Sequence, residues 1–518
     1  MKRAVFCIMV ICLGMGGFLG SSGAAEEMGT EESPLAVALQ VSKTIEDPFD
    51  RARTFRNIAR KYIALGEKEK ASQTLSLALE SAQQMQPPHY LLYKIRMLAL
   101  IAVSYTETGE KDRASKILSQ ALEVTKMIEN PISKAQELSS LAEKFTDLGE
   151  KQKAREILSQ ARKAAETAYY PLQKGWLLAD IAVGFAKVGQ KDEAGELLSQ
   201  ALEIFKAYDQ YSCDFMPSNK VHALVEIADK FASSGEKDKA SDILSEALEM
   251  AKSIDLPLEK ARALSGMAGK YAEAKEKDKA LEILPDALEA AEKIEDFGPK
   301  VNLLVRIAGQ YAHFGEKEKS SQILSRAFKA TERLEDPQYK VIALANIAGQ
   351  YAWANDKDKV PEILATALET VQTLDDADFK AKAFYEIAFI YAAIGENDKA
   401  SKLLAQAVEA GKKIEDSETG RLAEVAVKCA EAREFNLALE AAEATVEADK
   451  KFLALANIAI EYAENSEYHK ALEVARTIED VSRKATALAE IGFMYAEAGE
   501  KVDERSREIL RQIARDVG

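Results

Sequence analysis

The sequence predicts an all-α chain, an α-solenoid of about twelve helix–turn–helix repeats. Three observations predict it. A turn of the form Gly-Glu-Lys recurs, first at Gly66-Glu67-Lys68 and then at Gly109-Glu110-Lys111. An aromatic residue stands four positions before nearly every such turn and an alanine seven before it. After the turn, alanine, leucine and alanine return at offsets of five, nine and twelve. These spacings keep apolar side chains on one face of a 3.6-residue helix.

The chain begins with Lys2 and Arg3, an apolar stretch from Ala4 to Leu19, and the small residues Ser21 to Ala25. This is the three-part pattern of a secretory leader, with cleavage expected after Ala25. Residues 1–25 are therefore read as a signal peptide and the protein as periplasmic or secreted. The apolar run is short for a membrane span, and no membrane span is expected after cleavage. Residues 26–47 are expected to form an N-terminal half-repeat or cap, because Leu35, Leu39, Ser42 and Ile45 look like the second half of the helix that follows each turn.

From 48 to 416 the turns come at Gly66, Gly109, Gly149, Gly189, Gly235, Lys275, Gly315, Asn355 and Gly395, mostly 40 residues apart. From 417 to 518 the repeats shorten, with turns at Arg433, Ser466 and Gly499 and a polar capping helix after them. The aromatic four before the turn runs from Tyr62 and Tyr105 to Tyr462 and Tyr495, and only Cys429 breaks the series. The small residue seven before the turn is Ala59, Ala102, Ala142 and so on, ending in Gly492. We call the helix before each turn A and the one after it B. Glycine, or Asn355, suits the left-handed residue that closes helix A. Glutamate after it favours the positive end of helix B. Helix B stops near Ile-Glu-Asp triplets at Ile45, Ile294 and Ile414, and prolines such as Pro48, Pro131, Pro299 and Pro337 lie near the start of the next helix A.

Leu304, Ile307, Ala308, Tyr311, Gly315, Ser320, Leu324 and Ala327 fall at a family signature spacing. The pattern resembles the tetratricopeptide repeat, which has a 34-residue period. It is closer to long-period variants such as those of kinesin light chains. The resemblance implies a right-handed superhelix whose concave groove is lined by helix A. Carried over residue by residue, the groove positions are Asn302, Arg306 and His313, then Asn346 and Trp353, then Tyr385, Glu386 and Phe389. Exposed aromatics with arginine are typical of partner-binding hot spots. A second candidate is a basic spot formed by Arg53, Arg56, Asn57, Arg60 and Arg96, suited to a carboxylate or acidic peptide.

Composition narrows the function. With 69 basic and 85 acidic residues the net charge is −16, so nucleic acid is not an expected partner. The four histidines, His89, His222, His313 and His469, lie in separate repeats. No phosphate loop, paired CxxC or H-E-x-x-H is present. No enzyme activity, cofactor or metal is expected; the Asp375, Asp376 and Asp378 cluster reads as a solvated loop. Cys429 reads as a buried structural thiol, and Cys213 lies in the longest linker, Tyr208 to Asn219. The function expected is a non-enzymatic scaffold that holds a protein or peptide in its groove. The alternative is a structural spacer or self-assembling envelope protein without a specific ligand.

Overall fold

The computed structural model describes residues 33–207, 217–414 and 420–517. The expected leader, Cys213 and the Ile-Glu-Asp triplet at Ile414 beyond its first residue lie outside them. The described residues form helices joined by short turns and fall into two compact units. One spans Ile45–Leu374; the other combines the chain before Ile45 with the chain from Asp375 onward.

The first described helix is α1 (Pro34–Ser42). The Ile45–Leu374 unit then holds eight A–B hairpins: α2 (Pro48–Ala64) with α3 (Lys68–Gln84), α4 (Leu91–Thr108) with α5 (Lys111–Thr125), α6 (Pro131–Asp147) with α7 (Lys151–Glu166), α8 (Pro171–Lys187) with α9 (Lys191–Ala207), α10 (Pro217–Ser234) with α11 (Lys237–Ser253), α12 (Pro257–Glu273) with α13 (Lys277–Glu292), α14 (Phe297–His313) with α15 (Lys317–Ala330), and α16 (Pro337–Trp353) with α17 (Val360–Gln372).

Each A-to-B turn closes in the same way. At Gly66 (φ 77°) the backbone N–H of Glu67 bonds Tyr62 O at 2.8 Å and that of Gly66 bonds Ile63 O at 3.0 Å. This Schellman pattern satisfies the last carbonyls of helix A and requires a left-handed residue. Lys275, Asn355, Arg433 and Ser466 hold the same conformation at φ 61–65° without being glycine. The start of helix A is also built in. Prolines 48, 131, 171, 257 and 337 sit at its first position. Pro299 does not, because α14 begins two residues earlier, at Phe297. The aspartate of the Ile-Glu-Asp triplets has a role beyond stopping helix B. Asp47 and Asp296 accept from backbone N–H groups and cap the following helix A, as Asp336, Asp376 and Asp480 also do.

Packing follows the predicted register. Ile58, Ala59 and Tyr62 are buried on α2, and Ala71, Leu75 and Ala78 face them from α3 with no exposure. Each buried Leu or Ile contributes about 1.5–3 kcal/mol, and the alanines let helix axes approach closely.

The second unit contains α18 (Ala377–Ile394) with α19 (Asn397–Gly411), α20 (Arg421–Glu431) with α21 (Phe435–Ala444), α22 (Ala448–Glu464) with α23 (Tyr468–Thr477), then α24 (Val481–Glu497) and α25 (Glu504–Val517). The last hairpin is assembled from both ends of the chain. The helix beside α24 is α1, and α25 packs on α23 and α1 instead. Leu35 and Ala38 stand ten and seven residues before Ile45, as Leu284 and Ala287 do before Ile294. Thus α1 supplies the helix B of the twelfth repeat. The N-terminal half-repeat is a partner of the C-terminal repeats. Helix α25 is amphipathic rather than polar all round: Leu510 and Ile513 are fully buried.

Candidate partner-binding surface

In the Ile45–Leu374 unit, neighbouring helices A are tied by a series of side-chain bridges. Arg56 Nε donates to Leu100 O at 3.2 Å, and Arg96 pairs with the buried Glu137 at 2.6 Å. Lys187 pairs with Glu143, Lys230 with Asp180 and Lys270 with Glu226, at 2.6–2.7 Å. Arg306 donates to Ser265 Oγ, Gln310 Nε2 to Ser265 O at 2.8 Å, and Asn302 to Tyr339 Oη. Each bridge joins one helix A to the next, from α2 to α16. Side chains at position −5 or −9 relative to the turn carry half of them, so sequence periodicity holds part of the signal, although only the packed pair reveals it.

These bridges decide which predicted groove residues are available. Arg306 is spent on Ser265 and Arg262; burial lowers its pKa from the usual guanidinium value, with Arg262 adding repulsion. Asn302 is committed to Tyr339. His313, Asn346 and Trp353 are exposed, and Trp353 shows 54% of its surface. Position −2, which Trp353 occupies, is filled elsewhere in this unit by Ala64, Glu107, Asp147, Lys187, Ser233, Glu273 and His313. Nothing in the packing of the repeat demands a large ring there.

At the turn between α16 and α17, against the start of α15, lies an open hollow of ≈ 430 Å³ lined by Lys317, Glu318, Ser321, Leu324, Tyr351, Ala354, Asn355 and Asp356. A second hollow, of ≈ 260 Å³, has the same register around Leu244, Tyr271 and Ala274. Both open where the residue before the turn is alanine. Elsewhere in this unit Leu65, Thr108, Leu148, Val188, Ser234 or Phe314 occupies that position.

The other three groove candidates belong to the second unit. Tyr385 is not a surface residue: it is 5% exposed and its hydroxyl donates to Glu424 Oε1 at 2.6 Å. Its pKa is pushed far above the ordinary phenol value by burial and that bond. Helix α20 packs over it, which a register argument on α18 alone does not show. Glu386 is half-buried, and burial raises its carboxyl above the usual range, against the pull of Lys382. Phe389 is half-exposed under the Lys428 ammonium, 5.5 Å from the ring centre. The aspartates nearby are structural: Asp376 caps α18, and Asp378 pairs with Arg421 at 3.0 Å.

Two of the four arginines of the basic spot are neutralised. Arg53 pairs with Asp50 at 2.6 Å over the Phe49 ring, and Arg96 is held by Glu137. Asn57 is half-buried and Arg60 exposed. Arg56 is mostly desolvated, which lowers its pKa, with Arg60 adding repulsion and Glu107 opposing it.

The helices also hold a residue set the sequence reading missed. Four positions after the turn, a cation lies over the aromatic four before it: Lys70 over Tyr62, Arg113 over Tyr105, Lys153 over Phe145, Lys239 over Phe231, Lys279 over Tyr271, Lys319 over Tyr311, Lys359 over Tyr351, Lys399 over Tyr391 and Lys470 over Tyr462, all within 5.6 Å. The glutamate after the turn makes no capping bond and in most of these repeats pairs with that cation, as Glu67 does with Lys70 and Glu276 with Lys279 at 2.6 Å.

Among the described residues no group of three or more His, Cys, Asp or Glu is placed to hold a metal, and no helix is long and apolar enough to cross a membrane. No protein-family model matches the chain, and no curated protein compared with it does. Solved structures similar to it include Ton1535 from Thermococcus onnurineus NA1, at 16% identity over 84% of this chain and 99% of that one, TM-score 0.28. A kinesin light chain of nearly identical TPR-like repeats from Podosopora anserina is 20% identical over 40% of this chain and 97% of its own, TM-score 0.29. A Rap protein complexed with Competence and Sporulation Factor is 17% identical over 70% and 98%, TM-score 0.25. At such scores these likenesses add nothing to what the helices themselves show. Paired helices, the left-handed turn and the near-40-residue period make the chain a tetratricopeptide-like array of helical hairpins.

Proposed function

We propose that this chain is a non-enzymatic scaffold, exported from the cell, that holds a protein or peptide on the helix A face of its Ile45–Leu374 unit. The observation that carries the reading is Trp353. It is a large aromatic, more than half exposed, at a position where neighbouring repeats mostly place small or charged residues. His313 and Asn346 lie exposed on α14 and α16 of the same unit and offer hydrogen bonds at its side. The bridges between helices A brace this face, so little order is lost when a partner docks. The hollow at the turn that follows α16 has room for an apolar side chain against Tyr351, and Asp356 and Glu318 line it too.

The test is a capture experiment. The chain from Glu26 is immobilised, exposed to envelope extract of its own organism, and compared with the Trp353→Ala variant. A protein retained by the native chain and lost by the variant supports the reading. Retention that is equal for both places binding elsewhere and overturns the assignment to this face.

A further inference from the structure

The first two hairpins depart from the repeat at three places that adjoin one another. Arg56 stands ten before its turn, where the other hairpins of the Ile45–Leu374 unit have alanine, serine or valine. Arg60 stands six before it, where none of the others has a cation. Leu100 stands nine before the next turn, where the others have a polar residue, a charged one or glycine. The fold brings the three together. Arg56 Nε donates to Leu100 O at 3.2 Å, and Arg60 follows Arg56 by one helical turn on α2. Leu100 is 41% exposed, and Tyr93, two turns before it on α4, is 54% exposed against Phe49. The charges here are not balanced. Among the described residues Arg56 and Arg60 form no ion pair, whereas Arg53 and Arg96 beside them do. Arg56 is mostly desolvated and repelled by Arg60, and Glu107 is the carboxylate that acts on it. A desolvated cation without a counter-ion is costly, and a bound anion relieves that cost.

We propose that Arg56, Arg60 and Leu100 form a docking site for an acidic peptide segment, which sets carboxylates on the two guanidinium groups and an apolar side chain against Leu100 and Tyr93. A guanidinium donates to both oxygens of a carboxylate in one plane. The bond from Arg56 Nε to Leu100 O holds that group in place beforehand, so little order is lost on docking. Arginine and tyrosine beside an exposed leucine also have the make-up of a hot spot. A peptide fits this surface better than a nucleic acid does. Only two charges are left over, the exposed Glu107 lies beside them, and the chain carries −16 overall. A long polyanion gains affinity from many phosphate contacts, and here it meets repulsion around two. A few carboxylates next to an apolar residue match what is offered. The site is separate from Trp353, which lies on the last hairpin of the unit, and does not depend on it.

The test uses the full chain and a short fluorescent peptide in which pairs of glutamates flank a leucine. Binding, read by anisotropy, should saturate and weaken as salt rises. Arg60→Gln should weaken it about tenfold. Leu100→Ser should weaken it too, but leave its salt dependence as it was, because no charge is removed. Both residues are exposed, so neither change disturbs the packing, and an unaltered far-UV spectrum checks that. Lys116→Gln removes the same charge from an exposed position on α5 and should leave binding unchanged. Arg60→Glu should turn the preference towards the same peptide with lysines in place of its glutamates. Absence of saturable binding would overturn the proposal, as would binding that ignores Arg60→Gln or that falls equally with Lys116→Gln. Binding that ignores Leu100→Ser would remove the apolar contact and overturn the site as drawn. A single-stranded oligonucleotide of equal net charge that binds as tightly as the peptide would overturn the choice of partner.

Discussion

At the scale of single residues, the repeat is locked by a clamp of three groups: the aromatic before the turn, the glutamate after it, and the cation three residues further on. An exposed cation–π contact is worth about 0.5–1 kcal/mol and an exposed ion pair up to about 1. Lys153 has all its partners, with Phe145 at 4.3 Å, Glu150 at 3.8 Å and Ser119 Oγ at 2.8 Å on the preceding helix B. Lys153→Ala should lower stability by about 1 kcal/mol in chemical denaturation, and Lys153→Met should recover only the part due to packing of the stem. The aromatic was legible in the sequence as a core position. The cation was not, because its meaning depends on the hairpin folding it back over the ring. Where the aromatic becomes Cys429, the partner position is Leu437, and both halves of the clamp disappear together. Burial of the aromatic also sets a pH limit. Burial pushes Tyr62 up to about 12 and also raises Tyr105, Tyr271, Tyr311, Tyr391, Tyr462 and Tyr495. The folded state holds these protons more tightly than the unfolded chain does. Their stabilisation is complete below the ordinary phenol pKa near 10 and is lost as pH climbs through the raised values. Phenolate absorbance should rise steeply between about pH 10 and 12, together with loss of helix; a gradual rise in fully helical protein would contradict it.

At the scale of helices, a second contact ties two of the hairpins to the one before. Tyr105 Oη donates to Ser72 O at 3.4 Å and lies 3.3 Å from Ser76 Oγ; Tyr351 Oη donates to Ser321 O at 2.9 Å and lies as close to Ser325 Oγ. Both serines stand ten residues after their turn, and in α13 that position is Pro285, inside the helix. The Tyr311 hydroxyl that would meet it is buried without a partner. Pro285→Ser returns a backbone donor to α13 and a hydroxyl to Tyr311. It should raise stability by about 3 kcal/mol, the usual cost of an interior proline, and calorimetry would show it as an upward shift in the transition of the Ile45–Leu374 unit. No shift would mean that α13 has adapted around its ring. Helices, turns and register were readable from sequence because each depends on neighbours within a few residues. The pairing of α1 with α24 was not, since no local pattern connects Leu35 to a residue more than four hundred positions away. Gly492 stood out in the alanine series, but only the α1 backbone against it supplies the reason. Tyr385 was misplaced for a similar cause: its register on α18 is that of a groove residue, and the neighbouring helix α20 covers it.

At the scale of the whole molecule, a unit in which each hairpin touches its neighbours is as strong as its separate joints, and unfolding need not be two-state. The weakest joint can be named. Helices α20 and α21 have 11 and 10 residues, against 17 each in α2 and α3. The buried residues of α21 are three alanines, Ala438, Ala441 and Ala442, which bring little apolar area to the core. This hairpin also lacks the clamp and carries a left-handed Arg433, a conformation that costs a non-glycine residue about 1–2 kcal/mol. The pair contains its own reporter. Cys429 has no exposed surface, and burial, with Glu434 and Glu440 nearby, pushes its thiol up to about 12. At pH 8 the folded thiol is almost wholly protonated and enclosed, so alkylation reports opening of α20. In rising urea, peptide-level mass spectrometry should find Cys429 alkylated before the far-UV helical signal falls. Labelling that only follows the global loss of helix would show that α20 and α21 are held as firmly as the longer hairpins, and that short helices and a missing clamp do not govern where the array first opens.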